Sequence, residues 1–181
     1  MRGAFLGCFL FAMANEGFAH RVDEYLQATR IAVATHRIDF TFDLTPGVAV
    51  AGQVIELTDQ DRDGRLSGEE ESAYARRFLQ DLNISLDGKA VTLSVTTISF
   101  PTVREMQSGT GVIRIRATSV IGSLGAGRHA LRLTNRHLPA ISAYLVNALR
   151  SLDPVVEIGK QTRDDLQQNY RLEFRVRPAG P

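Results

Sequence analysis

The stretch 25-YLQATRIAVATHRIDFTFDL-44 decides the fold. Ile31 and Val33 alternate with small residues, and Ile38, Phe40 and Phe42 alternate with Asp39, Thr41 and Asp43. Period two places successive side chains on opposite faces of a strand, so each run has one buried face and one wet face. A turn at 34-ATHR-37 pairs the two runs as a hairpin.

Strand signals return further along the chain. The turn pair Asp87-Gly88 joins 84-ISL-86 to 90-AVTLSVTTISF-100 as a second hairpin. More strands read at 111-GVIRIRATSV-120, 128-RHALRLTN-135, 141-ISAYLVNAL-149, 155-VVEIGKQ-161 and 168-QNYRLEFRVR-177. Gly122, Gly125, Gly127, Pro139 and Pro154 punctuate the loops between them. About seven to nine short strands with turns at this spacing predict a mainly β chain, an Ig-like antiparallel β-sandwich.

The period changes between the first and second hairpins. In 45-TPGVAVAGQVIELT-58, Thr45 is placed to cap a helix and Pro46 to occupy its first position, where a missing N–H is harmless. Val48, Ala51, Val54, Ile55 and Leu57 follow helical spacing. The second segment, 68-GEEESAYARRFLQDL-82, carries Ala75, Phe78, Leu79 and Leu82 on one stripe with Tyr74 at its edge. Glu69, Glu70 and Glu71 lie in its first turn, the end the helix dipole favours for acids. Residues 45–82 therefore read as a helix–loop–helix insertion in the sandwich.

The loop of that insertion is 59-DQDRDGRLSGEE-70. Counted from Asp59, oxygen-bearing positions 1, 3, 5, 9 and 12 are Asp59, Asp61, Asp63, Ser67 and Glu70. Gly64 supplies the turn at position 6, and Arg65 at position 7 contributes only its backbone carbonyl. Leu66 fits the inward hydrophobic slot at position 8. This is the EF-hand pattern: calcium is a hard cation that takes six to eight oxygens, and this spacing wraps them around one ion. Ser67 also opens a Ser-x-x-Glu capping box with Glu70. A single loop of this kind outside the cytosol belongs with sites of about 10⁻⁴–10⁻³ M affinity, which suits a structural Ca²⁺ better than a sensor.

Composition bounds the rest. With 21 Lys+Arg against 20 Asp+Glu, the net charge of +1 gives no basic surplus for nucleic acid, so no nucleic-acid partner is expected. Met1-Arg2, the apolar run 4-AFLGCFLFAM-13 and the small residues Gly17 and Ala19 read as a signal peptide over 1–19, cleaved after Ala19. The mature chain, 20–181, is then one domain, periplasmic or secreted, with no further apolar run long enough to span a bilayer. Cys8 is the only cysteine and leaves with the signal, which removes thiol chemistry and disulfides.

Cleavage there makes His20 the mature N-terminus, where its imidazole and a free α-amino group form a pair able to chelate copper or nickel. His36 reads as a turn residue, His129 as an outward strand residue, and His137 as a hydrogen-bonding loop residue. No G-x-S-x-G elbow, P-loop or G-x-G-x-x-G fingerprint is present, so the chain reads as non-enzymatic. The arginines of 112-VIRIRATS-119 and 171-RLEFRVR-177 read either as an anion surface or as the solvated face of strands.

Three stretches, 19-AHRVDEYLQAT-29, 43-DLTPGV-48 and 134-TNRHLPAISAYLVNAL-149, together resemble the extracytoplasmic N-terminal region of bacterial HupE/UreJ-type membrane proteins. The resemblance implies an exported β-sandwich module without the membrane domain, working beside a membrane or periplasmic partner. Two functions are expected. The first is a calcium-binding protein for partner binding or scaffolding. The alternative is a periplasmic accessory protein that handles Ni, Co or Cu through His20.

Overall fold

The alternating run forms its hairpin in the computed structural model, which describes residues 23–178. β1 (Tyr25–Val33) and β2 (Arg37–Pro46) pair antiparallel, with Ile31 opposite Phe40 and Val33 opposite Ile38. A hydrogen bond of 2.8 Å from the Ala34 N–H to the Arg37 carbonyl closes the turn. The signal segment, Cys8 and His20 lie outside the described residues.

Eight further strands follow: β3 (Leu82–Leu86), β4 (Lys89–Ala90), β5 (Ser94–Ser99), β6 (Ile113–Val120), β7 (Gly127–Asn135), β8 (Ser142–Ala148), β9 (Val156–Arg163) and β10 (Asn169–Val176). One sheet has the order β5-β6-β2-β1-β8 and the other β4-β3-β7-β10-β9. Ile31, Phe40, Phe42 and Ile115 from the first sheet share one buried core with Leu131, Leu133, Leu172 and Phe174 from the second. The chain is mainly β, two antiparallel-rich sheets around a common core in the manner of a β-sandwich. No helix among the described residues is long and apolar enough to cross a membrane.

Five features depart from the sequence reading. The β1–β8 pair is parallel, with Tyr25 opposite Ser142 and Ile31 opposite Ala148. Residues 136–141 carry the chain from the second sheet to the first, so β8 enters at the end where β1 starts. The segment 90–100 is not one strand. β4 pairs with β3 in the second sheet and β5 with β6 in the first, so the chain changes sheets at residues 91–93.

The first helix also begins later than its sequence suggests. Period two continues through Leu44 to Pro46, which is buried opposite Tyr25 as the last residue of β2. A proline at a strand's end removes no interior ladder bond, so strand pairing wins over the cap. Helix α1 (Ala51–Thr58) follows a turn in which the Val50 and Ala51 N–H groups donate to the Gly47 carbonyl. Helix α2 (Gly68–Gln80) forms within the segment read as helical, burying Tyr74, Ala75 and Phe78, but it stops short of Leu82, which leaves the helical stripe and opens β3 opposite Asn135. Finally, a short helix α3 (Val103–Gln107) opens on a Thr102–Glu105 capping box that buries Met106.

Helices α1 and α2 and the loop between them close one end of the sandwich. β1 starts there, β2 ends there, and Leu82 of β3 meets Asn135 of β7 there. Phe78 packs edge-on against Phe42 at 5.0 Å, joining α2 to the core. On one side of the sandwich the free edges of β8 and β9 are joined by side chains. Arg163 donates to the Val146 carbonyl through Nε (2.9 Å) and Nη2 (2.6 Å), and the Ala148 N–H donates to Gln161 Oε1 at 3.1 Å. Edge groups satisfied this way offer no template to another strand.

Candidate metal site and the network behind it

Helix α1 ends at Asp59, whose N–H donates to the Ile55 carbonyl at 2.7 Å, and α2 begins after Ser67. Within the loop each acidic side chain folds the backbone ahead of it. Asp61 Oδ1 accepts from the Asp63 N–H (3.1 Å), Asp63 Oδ1 from the Arg65 N–H (2.7 Å), and Asp59 Oδ2 from the Gly64 N–H (3.1 Å). Gly64 sits at φ 78°, a left-handed conformation that glycine adopts without strain. Arg62 adopts φ 62° as well, so the chain accepts a conformation disfavoured for a side-chain-bearing residue in order to turn here.

These turns bring one carboxylate oxygen each from Asp59, Asp61 and Asp63 within 4.8 Å of one another. Two oxygens on one calcium ion lie at most about 5 Å apart, twice a Ca–O distance of 2.3–2.6 Å, so the three fit a single ion. Asp59 is only 6% exposed, and its Oδ1 is buried without a hydrogen-bond partner. Asp43 Oδ1 is the other such oxygen among the described residues, but Arg114 Nε lies 3.6 Å from it. Among the described residues no ion pair joins Asp59, Asp61 or Asp63. Asp59 Oδ1 is thus a buried carboxylate oxygen with no compensating donor or cation among the described residues. It also sits at the C-terminal end of α1, where the helix dipole disfavours negative charge.

The remaining predicted positions are arranged differently. Arg65 is exposed, and only its backbone takes part in the loop. Leu66 is half-buried against the core, as its inward slot requires. Ser67 and Glu70 form a reciprocal capping box: Glu70 Oε2 accepts from the Ser67 N–H (2.9 Å) and Oγ (2.8 Å). Glu70 Oε1 also reaches back across the loop to accept from the Gln60 N–H at 2.7 Å. The Ser67 and Gln60 donors hold the Glu70 carboxyl below its ordinary pKa, so it stays ionised. Glu70 therefore ties the two ends of the loop together, while the converging oxygens belong to the three aspartates.

Behind the loop lies a buried polar network that no local sequence motif marks. The Tyr25 and Tyr74 hydroxyls are 2.5 Å apart, Tyr74 Oη lies 3.0 Å from His137 Nε2, and His137 Nδ1 lies 2.7 Å from Asp81 Oδ2. A carboxylate only accepts, so Nδ1 carries the imidazole proton and Nε2 accepts from Tyr74. Tyr74 in turn accepts from Tyr25. The relay runs from β1 through α2 to the 136–141 loop and ends at Asp81, which is 40% exposed. Gln27 and Asn135 extend it: Gln27 Nε2 donates to the His137 carbonyl (2.8 Å) and Asn135 Nδ2 to Gln27 Oε1 (2.9 Å).

Burial sets the titration of this network. Desolvation raises the Tyr25 and Tyr74 hydroxyls above their ordinary range. Desolvation also lowers His137, against the opposing hydrogen bond to Asp81, so the ring stays neutral near pH 7. His137 is a hydrogen-bonding loop residue, as read from sequence, but it is fully buried. His129 corrects its reading. It shares the inward side of β7 with Leu131 and Leu133, stacks on Phe174 at 5.4 Å, and bonds Asp87 Oδ2 through Nδ1 at 2.7 Å. Burial pulls its pKa down, but the Asp87 and Gly125 acceptors outweigh burial and raise it overall. The inward parity of Gln27 and Thr29 on β1 was the available signal that polar groups are buried here. No protein-family model matches the chain, and no curated protein sequence matches it either.

Proposed function

We propose that the chain is an exported, non-enzymatic, calcium-binding β-sandwich protein, Ig-like in its two-layer build, in which residues 59–70 act as a single EF-hand loop. The observation that carries this reading is the buried, unpartnered Asp59 Oδ1 in a cluster with Asp61 and Asp63 oxygens. The donor set is all oxygen, which selects a hard cation over nickel or copper. The ligands are the carboxylates of Asp59, Asp61, Asp63 and Glu70, the Arg65 carbonyl, and the Ser67 hydroxyl directly or through a water. Calcium supplies positive charge that the loop's own side chains leave unmatched.

Its role is structural. The loop joins α1 to α2, and α2 holds Tyr74 and Phe78 in the end of the sandwich, so an ion there fastens the insertion to the core. The sandwich then serves partner binding or scaffolding. Its resemblance to the extracytoplasmic region of HupE/UreJ-type proteins supports a partner at the membrane. At a calcium concentration ten times Kd the ion adds about 1.4 kcal/mol, or roughly 3–6 °C in Tm for a chain of this size. Differential scanning calorimetry with and without calcium tests this. Glu70→Ala removes the shift, and it also lowers the calcium-free Tm by breaking the capping box. Asp61→Asn is the cleaner variant, because its amide oxygen still accepts from the Asp63 N–H while the charge is lost. An unchanged Tm at several millimolar calcium overturns the proposal.

A further inference from the structure

The outer faces of the two sheets treat their arginines differently. On the first sheet Arg30 and Arg114 both pair with Asp43, and Arg37 pairs with Asp39. On the second sheet the register sets Arg132 directly opposite Arg171, and Arg128 directly opposite Arg175. All four point outward, because Leu131, Leu133, Leu172 and Phe174 take the other face. Like charges directly opposed across an antiparallel pair destabilise a sheet. Of the four, only Arg171 has an ion pair, with Glu173 on its own strand at 3.0 Å. Arg128, Arg132 and Arg175 have none among the described residues. Glu157, opposite Arg175 on β9, is held by Arg177 at 3.2 Å.

A groove of ≈ 520 Å³ runs along Arg128, Arg171 and Arg175 and also takes in Lys160, with Asp87, Glu157 and Glu173 on its walls; Arg132 stands beyond its end, opposite Arg171. Its middle is kept low by Ala130, opposite Glu173, and by Gly159, where an added Cβ would meet the Glu173 carbonyl oxygen at 2.8 Å.

We propose that this face binds an extended acidic protein segment whose carboxylates stand four residues apart. The two arginine pairs are themselves four residues apart along β7 and β10, about 13 Å at roughly 3.3 Å per residue. A chain laid extended along the sheet has the same rise, so side chains at i and i+4 reach both pairs. Each carboxylate placed between two guanidiniums gains charge-assisted hydrogen bonds and relieves the opposed charges. Glu173 lies midway and sets selectivity. It accepts a neutral or basic residue at i+2 and repels a third negative charge, so a uniformly anionic polymer or a layer of anionic headgroups is disfavoured. This inference does not depend on the calcium reading.

The probe is a synthetic pentapeptide with glutamate at its first and fifth positions, lysine at the third and threonine between, titrated at low salt into ¹⁵N-labelled protein. Amide shifts are expected on β7 and β10. Arg132→Gln and Arg175→Gln each weaken binding about fivefold to tenfold, the loss of one charge-assisted contact. Arg116→Gln on the first sheet leaves binding unchanged. Both second-sheet variants melt no lower than the parent without peptide, since each removes a repulsion and keeps most of the stem. The proposal is overturned if the peptide moves no amide of the second sheet, or if Arg116→Gln weakens binding equally. Tighter binding of polyphosphate or of phosphatidylglycerol vesicles than of the peptide also overturns it, and reassigns the face to a polyanion or a membrane.

Discussion

Replacing Tyr74 by Phe removes one oxygen from the relay and leaves its aromatic packing intact. The lost hydroxyl serves two buried groups at once, the Tyr25 hydroxyl at 2.5 Å and His137 Nε2 at 3.0 Å. Both residues are 0% exposed, so water cannot replace it. Each orphaned group costs about 1–3 kcal/mol, which puts Tyr74→Phe near 3 kcal/mol. Tyr25→Phe is a milder change, because Tyr74 keeps His137 as its acceptor; it costs about 1 kcal/mol. At about 2–4 °C per kcal/mol, Tm falls by roughly 6–12 °C in the first case and 2–4 °C in the second. Urea unfolding followed by circular dichroism measures both, with the slope m unchanged across the series. A Tyr25→Phe loss equal to that of Tyr74→Phe would refute the assigned direction of the relay. So would a Tyr74→Phe loss of under about 0.5 kcal/mol, the scatter of ordinary surface substitutions.

Two histidines are expected to titrate in opposite directions from about 6.5, the ordinary value. Proton NMR should place His137 below it, through burial, and His129 above it, through its Asp87 and Gly125 acceptors. His137 contributes stability that is present above the unfolded pKa and is lost as pH falls through its folded pKa. His129 contributes stability present below the unfolded pKa and lost as pH rises through its folded pKa. His129→Gln should therefore steepen the loss of stability on acidification from pH 7.5 to 5.5, and an unchanged slope would count against these assignments. Arg163→Met keeps the stem over Tyr170 but removes the donors to the Val146 carbonyl. It is expected to cost about 1.5–3 kcal/mol, read by the same urea assay; a neutral result would mean the β8 and β9 edges are not held by that residue.

Much of this architecture was legible because local and global preferences agree. The alternation of Ile38, Phe40 and Phe42 made β2 a strand, and the neighbouring sheet buried that same face. Asp87 and Gly88 sit at φ 49° and 81°, the two positive values their turn chemistry asks for. The misreadings arise where tertiary pairing competes with a local signal. Thr45-Pro46 looks like a helix start, but strand pairing with β1 claims it first. A single apolar run at 90–100 gives no sign of which sheet each half will join. The α3 helix was signalled by Thr102-Val103-Arg104-Glu105, a capping box of the same form as the Ser67–Glu70 pair, followed by only one buried residue. For the loop, spacing fixed which oxygens approach one another. That Asp59 alone is buried and unmatched depends on α1 packing against the core, which spacing does not encode. The Tyr25–Tyr74–His137–Asp81 relay joins four separate parts of the chain, so no local pattern contains it.

Isothermal titration of calcium into the purified chain tests the central claim most directly. One ion per chain, with Kd of about 10⁻⁴–10⁻³ M, is the expected result. Asp59→Asn should abolish it, since an amide keeps the Gly64 N–H bond but removes the charge from the one buried, unmatched oxygen. Absence of binding heat up to several millimolar calcium, or binding of equal strength in Asp59→Asn, would contradict the account.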